Sequence, residues 1–286
     1  MSGFVAKIIE INFPDQQVDT TQNVSGGCIN NAIKVETDEN RYFLKWNRSD
    51  LIGMFESESK GLNLLNKHSP IFSPEVIDAG VIENRSYLLT EWIDQGAPHT
   101  DFWRNFGINL ARQHKNSSDQ FGLDHDNYIG SLPQSNSQHA SWDQFFIEER
   151  LNPQLDLAKS KGLMDNNLLK QFDTLMNHLP QLVPDERPAL LHGDLWSGNY
   201  MIAAHGNAAV FDPAVHYGHR ETELSFTKLF GGFSSDLYRY YENEYPLEPE
   251  FEDRVDIHNL YPLLVHVNLF GSSYLSGIIQ TLRRFT

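Results

Sequence analysis

The sequence predicts an α+β chain in two parts: a small antiparallel sheet with one helix, then a larger and mainly helical part. Three observations carry this prediction. Runs rich in β-branched and aromatic residues dominate the first ninety positions. Helical periodicity dominates after Ile93. The short apolar runs beyond position 187 are each flanked by turn or polar residues, as strands set into a helical body would be. A strand-rich lobe followed by a helix-rich lobe is expected to be bilobal, with a cleft between residues 1–92 and 93–286.

In chain order, Ala32–Glu36 and Arg41–Trp46 read as strands joined by the turn Thr37-Asp38-Glu39-Asn40. Leu51–Lys67 places Leu51, Phe55, Leu62 and Leu65 on one helical face, with Ser49 or Asp50 available as its N-cap. Val76–Val81 and Ser86–Ile93 form a second hairpin around Glu83-Asn84-Arg85. Gln95-Gly96-Ala97-Pro98 is the natural connector. Helices are expected over Phe102–Lys115, Trp142–Lys161, Asn166–His178, Glu221–Phe230 and Glu252–Leu282, with strands at Pro188–Leu191, Tyr200–Ala203 and Ala208–Phe211.

Composition excludes several classes. With 40% apolar and 21% charged residues in 286, the chain is an ordinary globular protein able to bury a core. Its 22 basic against 38 acidic side chains, a net −16, argue against nucleic-acid and anionic-membrane partners, which need basic surface. The acidity is spread evenly: 8 basic and 13 acidic residues in 1–92, 14 and 25 in 93–286. One cysteine, Cys28, rules out an internal disulfide framework and a cysteine zinc site. The N-terminal residues lack the apolar core of a secretory signal, and the apolar stretch Leu260–Phe270 is too short to span a bilayer, so a cytoplasmic protein is expected.

The chemistry concentrates at His192-Gly193-Asp194-Leu195-Trp196-Ser197-Gly198-Asn199, between two strand candidates. Asp194 and Asn199 keep the Asp-x-x-x-x-Asn spacing of a kinase catalytic loop. Thirteen residues on, Asp212 ends a short strand. Asp194 can accept the proton of a substrate hydroxyl, while Asn199 and Asp212 offer the hard oxygens that Mg²⁺ prefers. The N-terminal part supplies the other half. Lys45 sits inside a strand and Glu58 on the following helix, the pair with which a kinase orients the α- and β-phosphates of ATP. Glu56 competes with Glu58 for that role. Gly26 and Gly27, beside Cys28, would let backbone amides approach phosphate oxygens. Glu91, Trp92 and Ile93 at the lobe junction would face adenine through the backbone of Glu91 and Ile93.

These residues resemble the fructosamine kinase (ketosamine-3-kinase) family, within the protein-kinase-like fold shared with aminoglycoside and choline phosphotransferases. The resemblance runs through Met54-Phe55 with Glu58, Phe121-Gly122, Asn127-Tyr128-Ile129-Gly130, Trp142, Phe145-Phe146 and Glu149-Arg150-Leu151. It continues through His192–Asn199, Asp212-Pro213-Ala214-Val215 and Tyr217-Gly218-His219-Arg220-Glu221, with His216 where an aromatic is more usual. It implies ATP- and Mg²⁺-dependent phosphorylation of a ketosamine sugar hydroxyl, giving an unstable ester and so reversing glycation. His216, Tyr217, His219 and Arg220, just beyond the metal aspartate, become the expected acceptor-binding residues, with Arg220 also able to pair with Glu223 or Glu149. Residues 1–92 become the nucleotide-binding lobe and 93–286 the catalytic and acceptor-binding lobe. Gly193, where protein kinases carry Arg, and the lack of an Ala-Pro-Glu motif point to a small-molecule acceptor rather than a regulated protein kinase. Kinases for aminoglycosides or choline are the neighbouring alternatives. A catalytically dead module is the other, against which intact Lys45, Asp194, Asn199 and Asp212 argue. A monomer or weak homodimer is expected. Cys28 is either a reactive thiol able to link two copies or an inert packing residue.

Overall fold

The computed structural model describes residues 2–24 and 29–285. By internal contacts the chain divides into two compact units. The first is Met1–Phe106 with Gly198–Pro213, the second Gly107–Ser197 with Ala214–Thr286. The change in pattern after Ile93 therefore lies within the first unit, which also takes back a later segment of the chain.

The first unit is built on a five-stranded antiparallel sheet in the order β1-β2-β3-β5-β4. Its strands are β1 (Val18–Asn23), β2 (Asn31–Thr37), β3 (Arg41–Arg48), β4 (Val76–Ile82) and β5 (Arg85–Glu91). Period-2 alternation decides which side chains are shared with which helix. Ile33 and Val35 of β2, and Tyr42, Leu44 and Trp46 of β3, pack with Phe4, Val5, Ile8 and Ile9 of helix α1 (Ser2–Asn12). That helix was not legible as an element, and it adds a second to the one expected in this part. Helix α2 (Ile52–His68) packs Phe55 and Leu62 against Leu88 of β5. Neither Ser49 nor Asp50 caps α2; both lie in a 3₁₀ turn, Ser49–Leu51, that leads into it.

Helix α3 (Phe102–His114) crosses from one unit to the next. The second unit then carries the short strands β6 (Asn127–Ile129) and β7 (Leu132–Gln134), paired with each other, and helix α4 (Trp142–Phe145). The helix expected over 142–161 forms as one continuous run to Ser160, with a change of winding inside it: α4 passes into a π-helical turn at Phe146–Leu151 and on into α5 (Asn152–Ser160), and α6 (Asn166–Leu182) follows. Strand β8 (Ala189–Leu191) follows.

The returning segment of the first unit is a hairpin of β9 (Tyr200–Ile202) and β10 (Ala208–Val210). It is tied to the connector by the Gly96 N–H, 2.9 Å from the Ile202 carbonyl, and to Phe72 by a parallel bridge at Ala209. A side chain at Gly96 would meet the Ala203 carbonyl at 2.6 Å.

Back in the second unit, β11 (His216–Gly218) pairs with β8 and is followed by α7 (Arg220–Leu229) and α8 (Ser235–Glu244), the latter unforeseen. The expected helix 252–282 is three helices, α9 (Phe251–His258), α10 (Leu260–Phe270) and α11 (Leu275–Phe285). Pro262 sits in the first turn of α10, where no intrahelical N–H is required, and Gly271 ends that helix at φ 98°. The unit's core joins Trp142, Phe146, Leu155, Phe172, Leu260 and Leu264, among others.

Candidate active site

In the first unit, β3 carries Lys45 between apolar neighbours and aims it away from the α1 face. Its Nζ lies 2.8 Å from Glu58 Oε1 on α2 and 2.5 Å from Asp212 Oδ1 just beyond β10. Glu56 is exposed, so Glu58 is the partner. Burial would lower the Lys45 pKa, but the Asp212 and Glu58 carboxylates outweigh it and hold the ammonium charged. Glu58 is pushed above the ordinary glutamate value by burial, against the pull of Lys45. Asp212 adopts a left-handed backbone (φ 58°), uncommon for a residue with a side chain and frequent at functional turns. The Phe211 N–H donates to the Asn199 carbonyl at 3.1 Å, so the segments bearing Asn199 and Asp212 are bonded together.

At the end of β5, the Glu91 amide donates to the Glu75 carbonyl at 3.0 Å, and its carboxylate accepts from the Glu75 amide. The Trp92 amide donates to Arg41 O and its indole to Asp94, with Lys34 Nζ 5.1 Å from the ring. Gly26, Gly27 and Cys28 lie outside the described residues.

In the second unit, the loop after β8 is pinned before it reaches Asp194. Gly193 has φ 83°, and a Cβ there would stand 2.0 Å from the Ala214 carbonyl, so only glycine fits. The Gly193 N–H donates to Glu223 Oε1 at 2.7 Å, and Glu223 Oε2 meets His114 Nε2 at 2.8 Å. His114 in turn bonds the Tyr241 hydroxyl. Burial would raise the Glu223 pKa, but His114 and the amide bring it below the ordinary value, so the carboxylate stays ionised. Asp194 then lines a cavity with Trp142, Arg150, His216, His258 and Tyr261. Burial pushes the Tyr261 phenol up to about 12, and the nearby Asp194 charge adds to the shift.

The four expected acceptor residues divide. His216 lines that cavity, its Nδ1 bonded to Ala214 O, and burial followed by the Arg150 charge keeps it neutral. Tyr217 is half-buried, and its backbone pairs with Gly122. His219 and Arg220 are occupied by the protein itself and do not line the cavity. His219 caps α7 through Nδ1, which accepts from the Glu221 amide, while Nε2 donates to Pro184 O. Arg220 makes a bidentate pair with Glu186 at 2.7 and 2.6 Å, donates to the Tyr245 and Pro246 carbonyls, and stacks on Tyr245 at 3.7 Å. Its carboxylate partner is thus neither Glu223 nor Glu149. Trp142, Arg150 and His258 were not singled out as site residues, whereas the polar side chains of the Tyr261–Tyr274 run were a candidate lining of an acceptor pocket, and Tyr261 and His266 line this cavity. The signal for Trp142 and Arg150 was the four-residue spacing of 142, 146 and 150, which a reading for helix alone passes over; His258 had no such signal.

The buried histidine gives a pH prediction. Burial, then the neighbouring His258, lowers the His219 pKa from 6.5 to about 4. The unfolded chain therefore takes up this proton first. Stability is full above pH 6.5 and falls as pH drops toward 4, by roughly 3 kcal/mol from this residue. Thermal midpoints recorded from pH 7 to 4 should fall more steeply for the wild type than for His219→Gln. Parallel curves would assign the acid loss elsewhere.

Comparison with known proteins adds the following. The family described as fructosamine kinase matches residues 1–286. A probable ketoamine kinase of Vibrio parahaemolyticus is 38% identical over 280 residues, covering 94% of this chain and 93% of its own. The chloroplastic protein-ribulosamine 3-kinase of Arabidopsis thaliana is 36% identical over 269 residues, covering 92% and 82%. Among solved structures, a Thermobifida fusca protein provisionally named a fructosamine-3-kinase superposes with a TM-score of 0.87 at 32% identity, covering 98% and 97%. A thermostable mutant of aminoglycoside phosphotransferase APH(4)-Ia, solved with AMP-PNP and hygromycin B, has a TM-score of 0.62 at 18% identity over 98% and 97%; that likeness concerns the fold alone.

Proposed function

Because the chain belongs to the fructosamine kinase family, we propose that it transfers the γ-phosphoryl group of ATP to a sugar hydroxyl of a ketosamine. The observation that carries this reading is the Lys45–Glu58–Asp212 ion-pair cluster, a charged lysine held on a strand by a helix glutamate and a turn aspartate. A buried charge of this kind is costly unless it has work to do, and the work that fits is neutralising the α- and β-phosphates. In a protein of net charge −16, such a local cation must offset a global field that repels nucleotide. The strand-end backbone of Glu91 and Ile93 is assigned to the adenine edge, with Trp92 beside it.

Asp212 and Asn199 are the residues assigned to Mg²⁺. The fit rests on their chemistry: both offer hard oxygens, Asp212 keeps part of its carboxylate exposed beside Lys45, and a backbone hydrogen bond ties the two segments. When bound, Mg²⁺ would neutralise charge on the phosphate oxygens. Asp194 is assigned to the acceptor hydroxyl. It orients that group and receives its proton as the hydroxyl oxygen bonds to the γ-phosphorus and the bond to the β-phosphate oxygen breaks, releasing ADP. The products are a sugar phosphate ester and ADP. Among the described residues no helix is long and apolar enough to cross a membrane, and use of ATP fits a cytoplasmic protein.

An acceptor panel tests this reading. ADP release should rise on adding an N-substituted amino-deoxyketose and stay at its basal rate with choline or an aminoglycoside. Stimulation by an aminoglycoside alone would overturn it.

A further inference from the structure

Three residues that line the cavity with Asp194 carry buried polar atoms left unmet among the described residues. The indole Nε1 of Trp142, the guanidinium Nε of Arg150 and the imidazole Nδ1 of His258 have no hydrogen-bond partner among the described residues. Their residues are 5%, 1% and 1% exposed, so bulk water does not satisfy them either. Native proteins leave few such groups, and a cluster of them on residues that line one cavity marks a place for a polar ligand or ordered water.

Local geometry brings the set together. Trp142, Phe146 and Arg150 are spaced by four, and in a regular α-helix each step of four would rotate the side chain by about 40°. The π-helical turn at Phe146–Leu151 widens the helix and keeps all three on the cavity. The rest of Arg150 is committed. Nη1 donates to the Ser135 and Glu149 carbonyls, Nη2 to Asn136 Oδ1, and the group lies against Phe145 and Tyr261. No carboxylate pairs with it among the described residues, and burial lowers its pKa to about 10. Its Nε–H is left to donate elsewhere.

His258 contributes the opposite function. Its Nε2 lies 3.1 Å from Glu221 Oε2, and Arg254 grips the same carboxylate at 2.8 and 2.6 Å. The Nε2–H therefore donates to the carboxylate, and Nδ1 is left as the acceptor position of the ring. Two donors and one acceptor, beside the Asp194 carboxylate, match hydroxyl groups, which donate and accept at once. A carboxylate or phosphate would place its lone pairs against those of His258 and its charge against Asp194.

We infer that Trp142, Arg150 and His258 are the residues that read the hydroxyl groups of the acceptor sugar, the two N–H groups donating to its oxygens and His258 Nδ1 accepting from one of its hydroxyls. The inference rests on the phosphotransfer reading for the identity of the ligand. It adds the residues that select a polyol.

Calorimetric titration of the full chain with an N-substituted amino-deoxyketose tests it. Trp142→Phe keeps the ring and removes only the donor, so the ketosamine Kd should weaken roughly 5- to 15-fold, the loss of one buried hydrogen bond. Its ATP affinity should be unchanged and its melting temperature equal to or above that of the wild type, since an unmet N–H is gone. Arg150→Lys, which retains charge but not the Nε–H, should weaken the same Kd at least as much. An acceptor lacking the hydroxyls read here should bind wild type and Trp142→Phe alike. A wild-type Kd in a folded Trp142→Phe, or equal loss of ATP and ketosamine affinity, would overturn the assignment. A wild type that binds the ketosamine with this dependence but does not phosphorylate it would sink the phosphotransfer reading instead, leaving the subsite standing.

Discussion

Replacing Asp194 with asparagine is expected to cut turnover by roughly 10²- to 10⁴-fold, the range of a lost general base. The substitution keeps the size and polarity of the side chain but not its ability to take a proton. The loop itself should hold, because two of its anchors do not use the Asp194 side chain: the Gly193 amide on Glu223, and the Ala214 amide on the His192 carbonyl at 2.9 Å. ATP affinity and melting temperature should therefore stay near wild type while kcat collapses. Initial rates at saturating ATP and ketosamine, with a melting curve of the same sample, make the measurement. Turnover within a few-fold of wild type would remove Asp194 from the reaction.

Replacing Lys45 with methionine should have the second largest effect. Methionine fills the same apolar slot on β3 but leaves Glu58 and Asp212 facing each other without a cation. The expected loss in kcat/KM is roughly 10²- to 10³-fold, comparable to removing one preorganised donor from a phosphoryl-transfer site, and it should appear in the KM for ATP as well as in kcat. Some stability should go too. Breaking a buried pair costs about 3–5 kcal/mol at most, and Glu58, already displaced upward, relieves part of this by taking a proton. Glu58→Gln should be milder, because Asp212 still holds the lysine. ATP titrations of the two variants decide the point: a Lys45→Met enzyme with unaltered KM and kcat contradicts the nucleotide assignment.

Legibility in the sequence followed the range of the physics behind each feature. The strands β2 to β5 and helix α2 were readable because their signals are local: alternation, a helical apolar stripe and turn residues between them. The pairing of Lys45 with Glu58 was readable because a strand and the next helix are joined by a short connection. Helix α1 was not. Phe4, Val5, Ile8 and Ile9 keep a helical spacing, but three of the four are β-branched, which weakens the helical signal, and the face they form is buried with residues of the sheet. The single helix expected at 252–282 failed because its apolar run continues through breaks set by Asn259 and Gly271. His219 and Arg220 stand a few residues beyond Asp212 in sequence, yet their partners Pro184 and Glu186 are more than thirty residues away. Conversely, Arg150 carried no local sign of its isolation. That a buried guanidinium lacks a carboxylate partner among the described residues is a property of the packed unit, not of the segment Glu148-Glu149-Arg150.

The central claim, transfer of phosphate from ATP to a ketosamine hydroxyl, is tested most directly by following the phosphorus. The protein is incubated with ATP, Mg²⁺ and an N-substituted amino-deoxyketose, and the mixture is observed by ³¹P NMR beside the same mixture containing Asp194→Asn. The expected result is a new phosphomonoester resonance coupled to a sugar proton, growing in step with ADP and absent or strongly reduced with the variant. ATP loss that yields only inorganic phosphate, at a rate indifferent to the ketosamine, would contradict the account.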